Sequence, residues 1–352
     1  MVVDAAGTLP LPWLAPALAT ALATHRGHAL LVHGAPGVGA LPFALVLAQA
    51  WLCEDGAPQA PRPCGRCGSC RLVQSHLHPD LFVLLPETLR RDHDWPLADD
   101  KGEGEDAKRK PSRQIRIDEV RALIDWSTRT SARGRGKVAV LHPAESLNAQ
   151  SANALLKTLE EPPTGTRLVL TAGDPALLLP TVRSRCQRLP LAAPAPAAAA
   201  SWLLSQGVTQ PEVLLAASSG RPLDALALAR AGVDAEAWSA LPSAVAGGRA
   251  AALAGWPVPQ AVDALQKLCH DAMARAGDGP ARYFPTDRVP AGCSWPALAS
   301  WSRELVRIAR HEDHPWQEGL MIDALVALGR LALATPVPGG AAPRRGFVTL
   351  DP

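Results

Sequence analysis

A short apolar run followed by a glycine-rich loop constrains this chain more than any other stretch. Residues 29–32 are apolar, and the eight residues 34–41 (GAPGVGAL) follow almost directly. Their glycines have the spacing of a phosphate-binding loop, G-x-x-x-x-G-K-[S/T], which joins a strand to a helix. We therefore predict a strand, a loop and a helix here; a glycine-rich turn of no functional meaning is the alternative.

The loop lacks the side chains that hold nucleotide. Ala40 replaces the lysine that reaches the β and γ phosphates, and Leu41 replaces the hydroxyl that binds Mg²⁺. Only Gly34, Gly37 and Gly39 of the motif remain. The sequence predicts the frame of a nucleotide pocket without ATP turnover.

Alternating apolar and amphipathic segments predict the fold class. Continuous apolar runs, typical of strands buried on both faces of a parallel sheet, lie at 29–32, 81–85, 137–141 and 167–171. Predicted helices lie at 41–52, 118–127 and 148–161, the last two with Asp118 and Asn148 as N-caps. This pattern predicts an α/β fold with a doubly wound parallel sheet.

Changes in composition predict the division into domains. We expect an α/β core at 1–191, with a cysteine module at 53–70 and a flexible, charged insertion at 87–114. Helical periodicity follows a linker rich in proline and alanine and predicts helical domains at 192–234 and 235–335, before a tail at 336–352.

Composition also limits the classes of function. The 352 residues are 47% apolar, and a net charge of +2 argues against a protein whose main task is wrapping nucleic acid. The N-terminus has no leader pattern, and no apolar run is long enough for a bilayer, which favours a cytoplasmic protein.

The most specific chemical pattern is a group of cysteines. Two overlapping Cys-x2-Cys steps place three thiolates on tight turns, and a fourth cysteine can close a tetrahedral set. We predict a structural zinc site; a redox pair and an iron–sulfur cluster are the alternatives. The four predicted ligands are Cys53, Cys64, Cys67 and Cys70.

Other residues of metal-binding type receive a simpler interpretation. His76 and His78 follow the cysteines closely and are alternative ligands, but we interpret them as ordinary surface histidines. Cys269 and Cys293 are predicted to be buried small hydrophobic residues.

The end of the 137–141 run repeats the loss seen in the loop. In a P-loop ATPase this strand ends at acids that hold Mg²⁺ and polarise the attacking water. His142 and Pro143 take those positions, whereas Glu145 and Asp174 lie away from the strand end. Two matched losses favour a pocket that no longer turns over ATP.

Two further segments carry a family resemblance. Alone, residues 151–163 (SANALLKTLEEPP) predict a capped helix, and Ser184-Arg185-Cys186 predicts surface salt bridges. Together they closely resemble hallmarks of the clamp-loader branch of the AAA+ family, whose bacterial members typically carry a four-cysteine module after the P-loop helix. The resemblance spans roughly residues 9–230.

The resemblance implies an AAA+ core with an inserted zinc module, a helical lid and a helical collar. The chain would not be an ATPase by itself but part of the bacterial DNA polymerase III holoenzyme. Its implied partners are gamma or tau and delta subunits in a hetero-oligomeric ring that opens the sliding clamp and places it on primed DNA.

The resemblance also assigns roles to arginines. Arg185 would act in trans as an arginine finger on ATP held by a neighbouring subunit, with Arg183 as the weaker candidate. Leu223 takes the place of the nucleotide-sensing arginine of the lid, and Arg221 is its nearest substitute.

Two rival functions remain open. One is an ATPase with an atypical P-loop, which would need replacements for the missing side chains. The other is a zinc-dependent DNA-binding protein, for which the cysteine module offers only Arg62, Arg66 and Arg71.

Overall fold

The computed structural model describes residues 1–55, 62–93, 95, 111–310 and 317–334. The chain divides into two compact units, Met1–Ala198 and Ala199–Pro352. Much of the predicted insertion at 87–114 and all of the predicted tail at 336–352 lie outside the described residues.

A parallel sheet forms the middle of the first unit. Its order is β2-β3-β4-β1-β5, and every neighbouring pair is parallel. The four predicted strands are confirmed to within one residue at each end, and the predicted α/β fold with a parallel sheet is confirmed. The sequence does not predict strand β5, because this segment (QRLP) has only four residues and half of them are polar. The strands are β1 (Ala29–His33), β2 (Leu81–Leu84), β3 (Lys137–Leu141), β4 (Thr166–Ala172) and β5 (Gln187–Pro190).

The helices of the first unit cover this sheet. One predicted N-cap is confirmed, because Asn148 Oδ1 accepts the Ser151 N–H at 2.8 Å. The other is wrong: helix α5 (Ile117–Thr128) begins before Asp118, and Glu119 Oε2 accepts the N–H of the N-cap residue Arg116 at 2.8 Å. The helices are α1 (Ala15–Thr24), α2 (Ala40–Leu52), α3 (Gly68–Gln74), α4 (Glu87–Asp92), α5 (Ile117–Thr128), α6 (Ala149–Glu160) and α7 (Pro180–Arg183).

Helix α2 is the most deeply buried helix of this unit among the described residues. All but two of its residues are buried, and Phe43, Leu45 and Leu47 are fully enclosed. A helix that is apolar on all sides belongs in the interior of a protein. Its N-terminus, and the loop before it, are therefore held firmly against the sheet.

The C-terminal part of the chain is helical and shares one apolar core. This core contains Leu203, Trp238 and Leu268, and the predicted burial of Cys269 and Cys293 is confirmed at 2% and 1% exposure. Within the described ranges, no helix is both long and apolar enough to cross a bilayer. The helices are α8 (Pro196–Ser205), α9 (Pro211–Ala217), α10 (Pro222–Arg230), α11 (Ala235–Ala246), α12 (Val258–Ala276), α13 (Trp295–Ala309) and α14 (Glu318–Ala334).

A buried carboxylate organises the loop after α12. Asp271 is fully buried, and its two oxygens accept the N–H groups of Arg282, Tyr283 and Phe284 at 2.9, 2.7 and 2.9 Å. His270 Nδ1 lies 3.0 Å from the same carboxylate. Charge-assisted bonds to backbone N–H groups are strong, so one side chain fixes three residues of loop.

We expect Asp271→Ala to lower the free energy of unfolding by about 2–4 kcal/mol, because it leaves buried N–H groups without an acceptor. Urea denaturation read by far-ultraviolet circular dichroism checks this. Asp287→Ala is the control, since its side chain is 79% exposed. Equal midpoints for the two variants would show that the Asp271 network contributes nothing.

Candidate functional site

The glycine loop joins the end of β1 to the start of α2, as predicted. A Cβ at Gly34 would lie 2.4 Å from the Leu191 carbonyl oxygen, so the backbone after β5 requires glycine there. Gly39 is the N-cap of α2 and has φ +107°, a conformation that side chains rarely adopt. The loop therefore keeps the backbone shape that its glycines predict.

The chain's own N-terminal segment lies against this loop. A Cβ at Gly39 would lie 2.4 Å from Leu11 Cδ1, and Trp13 Nε1 donates to the Val38 carbonyl at 2.9 Å. Leu41, at the position of the missing hydroxyl, is 3% exposed. An apolar side chain is thus buried where an active P-loop presents a metal ligand.

A hydrogen bond joins the residue that follows β3 to the neighbouring strand β4. His142 Nδ1 lies 2.6 Å from Thr171 Oγ1, which is fully buried on β4. Burial, with a smaller effect of His93, lowers the pKa of His142 to about 4, so the ring is neutral at pH 7. This position supplies neither an anionic metal ligand nor a basic carboxylate.

The two acids nearest in sequence are engaged by backbone groups. Glu145 Oε1 accepts the N–H groups of Gly173 and Asp174 at 2.6 and 3.0 Å. Asp174 Oδ1 accepts the Ala176 N–H at 2.8 Å. Both carboxylates therefore shape the turn after β4 rather than the end of β3.

The structure brings the four cysteines of the module together. Their sulfurs lie within 4.8 Å of one another, with 3.9 Å between Cys53 and Cys67 and 3.9 Å between Cys64 and Cys70. A tetrahedral metal with bonds of about 2.3 Å requires sulfur separations of about 3.8 Å. The cluster therefore has the dimensions of a four-thiolate metal site.

Helix α2 and helix α3 position these sulfurs. Cys53 is the C-cap of α2, and Cys67 is the N-cap of α3, whose first turn contains Cys70. The N–H groups of Cys67 and Cys70 each point at a cysteine sulfur, on Cys64 and Cys67, at 3.4 Å. Such N–H contacts stabilise thiolates, the form that binds metal.

The thiols of the cluster differ in acidity. Burial opposes ionisation of Cys67, but the N–H groups of Cys70 and Glu54 outweigh it and lower its pKa to about 7. Burial raises the pKa of Cys53 and of Cys70. A bound cation would favour all four thiolates, because it offsets the cost of burying their charge.

The interpretation of His78 as a surface histidine is wrong. Its side chain is buried, with Nε2 2.6 Å from Ser69 Oγ and Nδ1 accepting the Asp80 N–H at 3.0 Å. His78 therefore stabilises the cysteine module through its contact with Ser69 and is not one of the residues of the sulfur cluster. His76 is half-buried and stacks on Trp95, with ring centroids 4.0 Å apart.

Each residue of the Ser184-Arg185-Cys186 triplet has a distinct environment. Ser184 is the C-cap of α7, and its hydroxyl donates to the Thr181 carbonyl at 3.1 Å. Cys186 is buried in the core beside the sheet, and burial raises its pKa to about 12. Between these two anchors, Arg185 reaches the surface with 29% of its side chain exposed.

The guanidinium of Arg185 is held by residues of the same chain. Nε donates to Glu160 Oε1 at 2.6 Å, and Nη2 donates to the same oxygen. Nη1 donates to the Thr181 carbonyl at 2.8 Å. Arg183 makes a longer contact, 3.5 Å from Nη1 to the Pro175 carbonyl.

The predicted lid segment uses its arginine locally. Arg221 Nε donates to the Ser218 carbonyl at 2.9 Å and lies 2.9 Å from Asp224 Oδ2. Burial raises the pKa of Asp224, although Arg221 opposes the shift. Leu223 stands half-buried within the first turn of α10.

Comparison with known proteins supplies the family. A family model described as DNA polymerase III, delta subunit, matches residues 14–195. Subunit delta' of Pseudomonas aeruginosa (strain PAO1) is 38% identical over 212 residues, which are 59% of this chain and 57% of that protein. Subunit delta' of Escherichia coli (strain K12) is 34% identical over 224 residues, 62% of this chain and 60% of that protein.

The chain is also similar to a second type of DNA polymerase III subunit. DNA polymerase III subunit tau of Escherichia coli (strain K12) is 34% identical over 178 residues, 50% of this chain and 24% of tau. The chain spans about three fifths of the length of the two delta' relatives. With a family model matching 14–195, this chain belongs to the family described as DNA polymerase III, delta subunit, and it is similar to proteins named subunit delta'.

Proposed function

We propose that this chain is a non-hydrolysing stator subunit of a DNA polymerase III clamp loader in the bacterial cytoplasm. In this role it joins gamma or tau and delta subunits in a ring that places the sliding clamp on primed DNA. The family match and the similarity to tau support the kind of complex. The finer division of labour rests on the side chains of the site.

Four positions of the nucleotide pocket support the absence of hydrolysis. Ala40 and Leu41 offer no cation and no hydroxyl, while His142 and Pro143 offer no carboxylate. Phosphoryl transfer depends on positioned cations and metal ligands rather than on covalent chemistry, so each loss removes stabilisation of the transition state. Leu11, packed against Gly39, adds an apolar side chain at the loop itself.

Arg185 is the residue through which we propose that this chain assists ATP hydrolysis by a neighbouring subunit. Ser184 caps a helix and Cys186 lies in the core, so the backbone of Arg185 is fixed while its guanidinium is at the surface. An arginine inserted from a neighbouring subunit stabilises the charge that develops on the γ phosphate during its transfer. A subunit that hydrolyses nothing can in this way be required for its neighbour's hydrolysis.

We propose zinc as the metal of the four-thiolate module. Four thiolates in a tetrahedron leave no open position, which is the pattern of structural rather than catalytic zinc. The module connects the end of α2 to α3, and Arg133 Nε donates to Glu54 beside it at 2.6 Å. Zinc would therefore tie a loop to the buried helix that also holds the glycine loop.

The first test replaces Arg185 in a loader assembled from gamma, delta and this chain. An arginine finger contributes about 10³–10⁵ to turnover at its own site. We expect Arg185→Ala to abolish that site's share of the clamp- and DNA-stimulated ATPase at equal assembly. Arg183→Ala is the matched control and should stay close to wild type. Unchanged turnover in Arg185→Ala would refute the trans role.

Metal analysis of the purified chain tests the zinc site. We expect about one zinc per chain, as a single four-thiolate site predicts, and its loss in Cys67→Ser. Cys269→Ser, which removes a buried thiol outside the cluster, should retain the metal. A wild-type chain free of metal, with all of its thiols open to titration, would contradict the proposal.

Restoring the loop tests whether the pocket has lost more than one group. We expect the isolated wild-type chain to hydrolyse no ATP, and the double variant Ala40→Lys, Leu41→Thr to stay inactive, because His142 and Pro143 supply no Mg²⁺ ligand. Phosphate release by tau under identical conditions is the positive control. ATPase activity that co-purifies with the wild-type chain would favour the ATPase alternative.

A further inference from the structure

We infer that Glu160 is a positioning residue for Arg185 and holds its guanidinium ready for the phosphate of a neighbouring subunit. The inference rests on the proposed trans role of Arg185. Glu160 is the last residue of α6, and its carboxylate oxygen Oε1 accepts from both Nε and Nη2 of Arg185. The two residues are 25 positions apart in sequence.

The contacts leave the outer part of the guanidinium available. An arginine side chain carries five N–H groups in one plane. Nε, Nη2 and Nη1 each donate once, to Glu160 and to the Thr181 carbonyl. Of the five, two therefore have no acceptor among the described residues, one on each terminal nitrogen. A phosphate can be bound by two such N–H groups together.

The backbone around this contact is rigid on both sides. Thr181 belongs to α7, where its carbonyl accepts from Ser184 as well as from Arg185. Glu160 directly follows Leu159, which is fully buried in the same core that contains Cys186. The carboxylate and the carbonyl that hold the guanidinium are thus placed by buried neighbours and not by mobile loops.

Stability does not account for the contact. The Glu160 side chain is 48% exposed and that of Arg185 is 29% exposed, and ion pairs so open to water contribute little to folding. A long arginine side chain loses considerable conformational freedom when it binds in one geometry. Fixing that geometry before the partner arrives removes the cost from the transition state.

The adjacent acid provides a matched comparison. Glu161 carries the same charge, is exposed and follows α6 as its C-cap. No described hydrogen bond or ion pair joins its side chain to Arg185. An effect of nearby negative charge alone would be shared by both glutamates, whereas a positioning effect belongs to Glu160.

The test compares Glu160→Ala, Glu160→Gln, Glu161→Ala and Arg185→Ala in the loader assembled from gamma, delta and this chain. The loss in Arg185→Ala defines the turnover that depends on the finger. We expect Glu160→Ala to lower that portion of kcat about two- to tenfold, the range for freeing one long side chain, with KM for ATP near wild type. Glu160→Gln keeps an oxygen acceptor and should retain most of the rate, and Glu161→Ala should retain all of it.

Several outcomes would overturn the inference while leaving the trans role intact. They are an unchanged or raised rate in Glu160→Ala, an equal loss in Glu161→Ala, or loss of assembly in Glu160→Ala alone, as judged by size-exclusion chromatography. If Arg185→Ala itself leaves turnover unchanged, the proposed function fails, and the role of Glu160 fails with it.

Discussion

Parallel pairing of β1, β3 and β4 is the constraint on which the rest of the first unit depends. His33 lies opposite Ala172, and Leu141 lies opposite Leu170, so the three strands end at one edge of the sheet. The glycine loop, His142 and the turn after β4 all leave from that edge. In open parallel sheets, ligands bind at the carboxyl ends of the strands. The position of this edge is thus set by backbone pairing, which does not depend on the side chains at Ala40, Leu41, His142 and Pro143.

Contacts within the chain are found at the positions where a P-loop ATPase carries its nucleotide-binding groups. Thr171 bonds His142, Glu145 accepts backbone N–H groups after β4, and Leu11 packs on the glycine loop. These contacts satisfy polar groups and bury apolar surface, and both effects stabilise the fold. Thr171, Glu145 and Leu11 therefore each have a structural role at this edge of the sheet.

The fold was largely predictable because its strongest signals are local in sequence. Buried parallel strands are continuous apolar runs, and an asparagine before an amphipathic segment caps it directly, as Asn148 does. The errors came where a distant or reciprocal contact decided the outcome. Helix α5 begins before Asp118 because Glu119 accepts the N–H of Arg116. His78 is a structural residue and not a surface residue, because it is buried against Ser69. Short polar strands such as β5 have no periodic pattern to detect.

The sequence by itself determined which chemistry the chain lacks and which cysteines belong together. Side-chain type is fixed by the residue, so no fold can give Ala40 a charge, and tight Cys-x2-Cys spacing confines three sulfurs to one turn region. Only the tertiary structure decided how Arg185 is held. Its partner Glu160 lies 25 residues away at the end of α6, whereas Arg185 follows α7, and the two meet because α6 and α7 pack on the same core. Contacts between distant segments depend on that packing, which spacing along the chain does not specify.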